Sequence, residues 1–302
     1  MTLKSVSISG ANSLLGQHLL ARLVADPRVE IMSLHDQCAA QGTAQISGSR
    51  QWNVSPDVAK RLAEVPLLAP DAPALAPVLL SFLPDQGAED IEAQHLARGT
   101  RVITHCEYAR LKAPMVLPCG TPAAPQSPLL ATPNCTTAMC AQVLSVLDAA
   151  HGVAGTTITT LQAISGTDLP GMPAHVIHDQ VVGHLDGEAT ALSQELGAIF
   201  NGAFQVDAFA TRVPVWRGHT ITLSVGLKHA ADAQTVMTTL SASPDLTLTG
   251  VPTHRDRFSP DAPVATVTNV RDGAHGVLIV IKGDNLEMAT TGVMQWALHQ
   301  YG

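Results

Sequence analysis

Residues 6–23 constrain the fold more than any other stretch of the chain. Val6-Ser7-Ile8-Ser9 alternates as a strand does, Gly10 interrupts it, and Leu14, Leu15, Leu19, Leu20 and Leu23 then recur at helical spacing. A strand that passes through a glycine turn into a helix is the opening unit of a parallel sheet, because parallel neighbours need a crossover and a helix supplies it. The pattern continues. Residues 29–34 and 78–83 read as strands, the second stopping at Pro84, residues 91–97 as a helix, and residues 102–104 as a further strand. Only 3% of residues are aromatic against 46% hydrophobic, so the core must be built from Ala, Val, Leu and Ile, as in α/β proteins with buried parallel strands.

At 302 residues the chain exceeds what one ordinary core organises, which points to two domains or one large one. Residues 113–128 are rich in Pro, Ala and Gly and read as a loop passage. A helical pattern follows over 136–150, with Met139, Val143, Val146 and Leu147 on one side, and then a strand over 156–163. Residues 178–200 read as one or two helices. Strands are expected near 212–215, 220–227, 246–251, 265–270 and 277–281, and a closing helix over 285–301. The expected fold is therefore α/β, with an N-terminal Rossmann-like doubly wound parallel sheet and a C-terminal α+β part built on a mixed sheet flanked by helices.

Charge and cysteine usage exclude several classes. A net charge of -8 with 14% charged residues leaves no basic stripe for a nucleic-acid backbone. No run reaches ~18 apolar residues, and the first ten residues lack the apolar segment of a signal peptide, so a soluble cytoplasmic protein without a membrane partner is expected. The five cysteines form neither a disulfide framework nor a paired zinc pattern; no metal is expected.

Two segments carry chemistry. The turn Gly10-Ala11-Asn12-Ser13-Leu14-Leu15-Gly16 lies where the pyrophosphate of a dinucleotide rests on a helix N-terminus, although Ser13 stands where the usual fingerprint has its middle glycine. Asp36, twenty positions past Gly16, suits a free ribose hydroxyl, or is simply a turn residue. Cys135 follows the strand-like Leu129-Leu130-Ala131 and a Pro-Asn turn, and it opens a helix whose dipole is expected to lower the thiol pKa; inert packing is the alternative. Asn134 suits a substrate oxygen, and His219 an acid or base acting on the thiol's chemistry. Gln162 ends a strand and can aim its amide at a carbonyl, unless it merely bonds a loop. Arg212 and Arg110 are candidate anion sites, with surface salt bridging as the alternative for both.

Together the segments 10–16, Ser81-Phe82-Leu83-Pro84, Arg110 with Val116-Leu117-Pro118, Thr132-Pro133-Asn134-Cys135-Thr136-Thr137, residues 161–166 with Pro170-Gly171, residues 212–219 and Gly283-Asp284-Asn285 resemble the aspartate-semialdehyde dehydrogenase family, in its archaeal and fungal branch. The resemblance runs in order over nearly the whole chain. It implies reduction of an acyl phosphate, β-aspartyl phosphate, to the semialdehyde with NADPH. It also implies a dinucleotide-binding domain over 1–134 completed by the helix within 284–302, and a catalytic and dimerisation domain over 135–283. In the roles it implies, Cys135 forms a thioester, Gln162 orients it and His219 handles the proton. Arg212 would take the substrate carboxylate, Arg110 the phosphate, and Glu188 the amino group, with Asp186 or Glu195 as alternatives. Gly10, Asn12, Ser13, Leu14, Leu15, Gly16, Asp36, Ser165, Gly166 and Asn285 would hold the cofactor, Asn285 at the nicotinamide amide. A homodimer or homotetramer is the implied assembly.

The chain also departs from the family. Residues 171–211 contain no Lys or Arg, whereas the family places a phosphate-holding lysine there. Residues 37–41, where the family holds the 2′-phosphate of NADP, carry no basic residue, which leaves NAD or relaxed use open. The loop around 122–128 is shorter than usual. A thioester-using reductase of the malonyl-CoA-reductase kind and a catalytically silent homologue are the competing readings. Retention of Cys135, Gln162, Arg212 and His219 together speaks against silence. This reading predicts that Cys135→Ser abolishes turnover with the fold intact by circular dichroism, and that iodoacetamide alkylates Cys135 fast and is slowed by substrate.

Overall fold

The computed structural model describes residues 3–49, 52–117, 127–167, 171–249 and 265–299. The opening unit is as its spacing requires: strand β1 (Lys4–Ser9) runs through the Gly10 turn into helix α1 (Leu14–Ala25), which Ser13 caps by accepting the Gly16 N–H. Five more strands join β1: β2 (Val29–His35), β3 (Leu67–Leu68), β4 (Val78–Ser81), β5 (Arg101–Thr104) and β6 (Leu129–Ala131). They form one parallel sheet in the order β3-β2-β1-β4-β5-β6. The chain proceeds outward one way from β1 and then the other way from β4. A crevice therefore opens at the carboxyl ends of these two strands, the place where doubly wound sheets bind ligands. The connections include α2 (Gln37–Ala40), α3 (Pro56–Arg61) and α4 (Ala88–Ala97).

Helix α5 (Cys135–His151) leads into a second, mixed sheet. Its strands are β7 (Val153–Gln162), β8 (Gln205–Arg212), β9 (His219–Leu227), β10 (Leu246–Leu248), β11 (Ala265–Gly273) and β12 (Gly276–Gly283), in the order β10-β11-β12-β9-β7-β8. Helices α6 (Ala174–Ile177), α7 (Glu188–Ile199), α8 (Ala233–Ser241) and α9 (Asn285–His299) complete the described chain. The strand expected over 212–215 is misplaced. It lies earlier, as β8, and stops at Arg212; Pro214, which has no N–H for a ladder, follows in a loop. The expected residues 118–126, 168–170 and 250–264 lie outside the described residues, and with them Cys119, Pro118, Pro170 and most of the shortened loop.

Two cores result. Val6, Ile8, Leu19, Leu20, Leu34 and Leu80 are buried around the parallel sheet, and Val293, Trp296 and Ala297 of α9 pack into the same cluster. Met139, Leu144, Ile158, Leu196, Ile221 and Ile281 form the second, which also takes Met288 of α9. Each fully buried Leu or Ile stabilises by roughly 1.5–3 kcal/mol. Helix α9 thus enters both. Charges reinforce the junction: Glu287 of α9 meets Arg22 of α1 at 3.2 Å and Arg217, from the loop before β9, at 3.3 Å. His18 of α1 lies 2.9 Å from the same carboxylate, and Arg217 also pairs with Asp284 at 2.6 Å.

The glycines of the first turn are set by packing. Gly10 has φ +70°, and a Cβ there would lie 2.1 Å from the Phe82 carbonyl oxygen; one on Gly16 would lie 2.2 Å from the Gly10 oxygen. Both are backbone contacts that cannot yield. Gly10→Ala is accordingly expected to cost more than about 3 kcal/mol, lowering Tm by roughly 6 °C or more in a thermal melt.

Candidate active site

The nucleophile candidate is held by its own cap. Asn134 precedes α5, and its side-chain oxygen accepts the Thr136 N–H at 3.1 Å, the Thr136 hydroxyl at 3.1 Å and the Cys135 thiol at 3.3 Å. Cys135 thereby occupies the first position of the helix, partly buried at the wall of a cleft of about 200 Å³. Ser13, Leu14 and Leu15 of the glycine turn line the same cleft, as do Ser165, Gly166 and Asn285.

The second sheet brings the remaining candidates together at one end. Gln162 closes β7 and Arg212 closes β8, and the two are register partners. His219 opens β9 beside them and pairs with Gly283, the last residue of β12, so Asn285 follows at the same edge. Residues spread over more than 120 positions of sequence converge because four neighbouring strands start or stop here. Arg212 Nη1 donates to Gln162 Oε1 at 3.2 Å and to the Ala163 carbonyl at 2.9 Å. Gln162 Nε2 donates in turn to Glu188 Oε2 at 3.2 Å, and Asn134 Nδ2 donates to the same oxygen at 3.5 Å. Glu188 therefore joins the cap of the nucleophile to the amide at the end of β7.

His219 is fully buried. Its Nδ1 accepts the Ala163 N–H at 2.9 Å, which assigns the proton of the neutral ring to Nε2, an atom with no hydrogen-bond partner among the described residues. Burial and the adjacent Arg212 charge push its pKa down to about 3, so the ring is a neutral donor at physiological pH. Gly166 lies directly over this pair. A Cβ there would stand 2.7 Å from Arg212 Nη1 and 3.3 Å from His219 Cε1, so the turn 164–166 closes on them only as glycine. Asn285 Oδ1 accepts the Ser165 hydroxyl at 3.0 Å and the Gly218 N–H at 3.1 Å, which leaves its Nδ2 as the group a ligand can use.

Arg110 is buried on the opposite wall. It donates to Glu195 at 3.2 Å and to the His105 carbonyl at 3.0 Å. Asp36, at the end of β2, holds the Asn12 N–H at 2.9 Å and the Cys38 N–H at 3.1 Å. Its carboxylate thus braces the glycine turn and caps α2, the turn role left open by the sequence. Two features, His105 and the Glu287 cluster, had no clear signal in the chain, and a third, Glu195, was named only as an alternative to Glu188. His105 lines the cleft as a neutral ring, pushed down to about 3 by burial and then by Arg110. Glu195 stands seven residues after Glu188, a two-turn helical spacing that would have placed both on one face. The Glu287 cluster required knowing that α1 and α9 touch.

The thiol itself departs from expectation. Burial and the Glu188 charge push its pKa up to about 12, outweighing Arg110, the Thr136 N–H and Arg212, which pull it down. A helix N-terminus is worth less here than loss of solvent and a neighbouring carboxylate. Without ligand, Cys135 is a thiol, and the expectation of fast alkylation is corrected accordingly.

A glycine turn and a thiol at a helix start share one cleft, and Glu188 ties the thiol's cap to the amide and guanidinium at the end of the second sheet, an arrangement suited to an oxidoreductase that works on acyl groups through sulfur. Comparisons with known proteins agree. Residues 144–288 match the family described as semialdehyde dehydrogenase, dimerisation domain. The chain is 26% identical to an aspartate-semialdehyde dehydrogenase of Archaeoglobus fulgidus over 95% of each chain. It is 29% identical to one of Cryptococcus neoformans over 73% of this chain and 69% of the other. Among solved structures, aspartate semialdehyde dehydrogenase II of Vibrio cholerae complexed with ASA superposes with a TM-score of 0.84 at 18% identity over all of both chains. The Candida albicans enzyme with NADP gives 0.81 at 19% identity over 98% of each. These likenesses establish the fold. Part of the chain thus matches the semialdehyde dehydrogenase dimerisation family, and its whole length resembles aspartate-semialdehyde dehydrogenases.

Because the thiol ionises only near pH 12, the iodoacetamide rate at Cys135 in the free protein should climb about tenfold per pH unit from roughly pH 7 to 10 without levelling. Glu188→Gln removes the like charge and lowers the thiol pKa. Stopped alkylation assays at about pH 8 should then run about threefold faster or more.

Proposed function

We propose that this protein is an aspartate-semialdehyde dehydrogenase, reducing β-aspartyl phosphate to L-aspartate 4-semialdehyde through a thioester on Cys135. The observation that carries the reading is the convergence of Gln162, Arg212, His219 and Asn285 at one end of the second sheet, tied through Glu188 to the cap of the cysteine that starts α5.

In this reading the substrate ammonium pairs with Glu188. That contact neutralises the charge that, after burial, raises the Cys135 pKa most, so pairing at Glu188 shifts the thiol toward the thiolate. The Cys135 proton passes to solvent, the sulfur attacks the acyl carbon, the C–O bond to phosphate breaks, and phosphate leaves at Arg110. The Nε2–H of His219 donates to the oxygen on which charge develops, and Gln162 holds the acyl group in line. Arg212 takes the carboxylate; its Nε has no partner among the described residues. The glycine turn, open to the cleft at Ser13, Leu14 and Leu15, and the free Nδ2 of Asn285 fit a nicotinamide dinucleotide, NADP in the related enzymes. When bound it supplies the hydride that converts the thioester to aldehyde and frees the thiol. Gly10, Asn12, Gly16, Ser165, Gly166 and Asp36 shape or brace that wall.

The dimerisation family matched by residues 144–288 supports a dimer acting on a small molecule, and we extend this to a homodimer, or a homotetramer made from it. No helix among the described residues is long and apolar enough to cross a membrane, in keeping with a cytoplasmic biosynthetic enzyme.

A CoA-thioester donor is the second reading. It is favoured at the acyl position, where Arg110 is the single Lys or Arg lining the cleft among the described residues, because a pantetheine thiol leaving there carries no phosphate to be held. The test is to mix purified protein with the semialdehyde and NADP, or NAD, and follow reduced nicotinamide at 340 nm with phosphate or with CoA as acceptor. Phosphate-dependent turnover is expected. CoA-dependent turnover alone would select the second reading, and none with either, in folded protein, would refute both. Arg212→Lys should raise the semialdehyde KM about tenfold through loss of the planar fork, with little change in the phosphate KM.

A further inference from the structure

We propose that Glu195 is a positioning residue that fixes the anion site at Arg110 against the nucleophile turn at Asn134, a role that rests on the reading of Arg110 as the phosphate-holding group. Its carboxylate is 2% exposed and makes two bonds in different directions. Oε1 accepts Arg110 Nη1 at 3.2 Å, and Oε2 accepts the main-chain N–H of Asn134 at 2.8 Å.

The arrangement follows from one helix. Glu188 and Glu195 stand seven residues apart on α7, a separation of about 10 Å along one face. Leu192 and Leu196 anchor that helix in the second core. Glu188 grips the side chain of Asn134 and Glu195 grips its main chain, so the residue that caps α5 is held from both ends of a rigid ruler. Arg110 comes from the other sheet, after β5, and has no carboxylate partner besides Glu195 among the described residues. Its Nε is unpartnered and buried. The guanidinium thus has one face fixed by Glu195 and the His105 carbonyl, and keeps donors for an incoming anion. Reaction requires the departing phosphate and the attacking sulfur to stand at a set separation, and Glu195 touches the supports of both.

Both partners of Glu195 are donors. An amide at this position accepts from one and must present its own N–H₂ to the other, so Glu195→Gln breaks one bond while keeping size and shape. Asp keeps the charge and loses reach. The experiment compares wild type, Glu195→Gln, Glu195→Asp, Arg110→Ala and the double variant Glu195→Gln/Arg110→Ala. It measures the KM for inorganic phosphate, the KM for semialdehyde and kcat, and the phosphate concentration that half-protects Cys135 from iodoacetamide at about pH 9.

Glu195→Gln should raise the phosphate KM and the half-protection concentration together by about tenfold or more, lower kcat about tenfold, and leave the semialdehyde KM within about twofold. Glu195→Asp should recover part of that loss. In the Arg110→Ala background, Glu195→Gln should change phosphate affinity less than about twofold, because the path runs through the guanidinium. Equal phosphate affinity in wild type and Glu195→Gln, or an undiminished effect of Glu195→Gln without Arg110, would overturn the positioning role alone. No protection of the wild-type thiol by phosphate would overturn the reading of Arg110 and this proposal with it. Should the Gln variant unfold by circular dichroism, the Asp variant decides on the same two phosphate measurements.

Discussion

One side-chain oxygen holds the reactive end of this molecule in place. Asn134 Oδ1 collects the Thr136 N–H, the Thr136 hydroxyl and the Cys135 thiol, and in doing so ends the β6 strand's descent and starts α5. The four N–H groups that begin a helix need acceptors, and a cap that satisfies one of them also fixes where the first residue points. Here that residue is the cysteine. The cap's main chain and amide are secured by Glu195 and Glu188, so the thiol inherits its position from a helix in another part of the fold.

The charges around it are arranged with economy. Arg110 faces Glu195, Arg212 lies close enough to Glu188 for that carboxylate to support its charge, and the two histidines nearest the arginines are kept neutral by burial and by those same cations. Buried guanidinium groups without such partners would carry a large desolvation cost. A protonated thiol in this setting is a resting condition set by burial and then by Glu188, and that carboxylate is the one placed to meet a cationic substrate group.

The parts of this organisation that are local in sequence were legible. The strand, glycine turn and leucine stripe of residues 6–23 specify β1 and α1, and the alternation of strands with helices specifies the parallel sheet. Cys135 at the head of a helix followed from the Pro-Asn turn before it. What the chain withheld is pairing. That Gln162 lies beside Arg212, and His219 beside Gly283, is a property of strand register, which no periodicity reveals. β8 was placed too late because its alternation, Gln205 to Arg212, is interrupted by polar residues, and the apolar Val213 and Val215 beside Pro214 resemble a strand more than the strand does. The thiol's ionisation was misjudged for a related reason: dipole effects are readable from a helix start, while burial and the approach of Glu188 are products of the tertiary fold.

Helix α9 closes the parallel sheet's core with Val293, Trp296 and Ala297, and Trp296 Nε1 also donates to the Leu117 carbonyl at 3.2 Å. During synthesis these side chains emerge after some 290 residues, at ribosomal speeds of roughly 5–20 residues per second. The first six strands must therefore wait many seconds with an apolar groove uncovered. Until then the groove that α9 fills stays open, so the first sheet made is locked by a helix synthesised about 150 residues after its last strand.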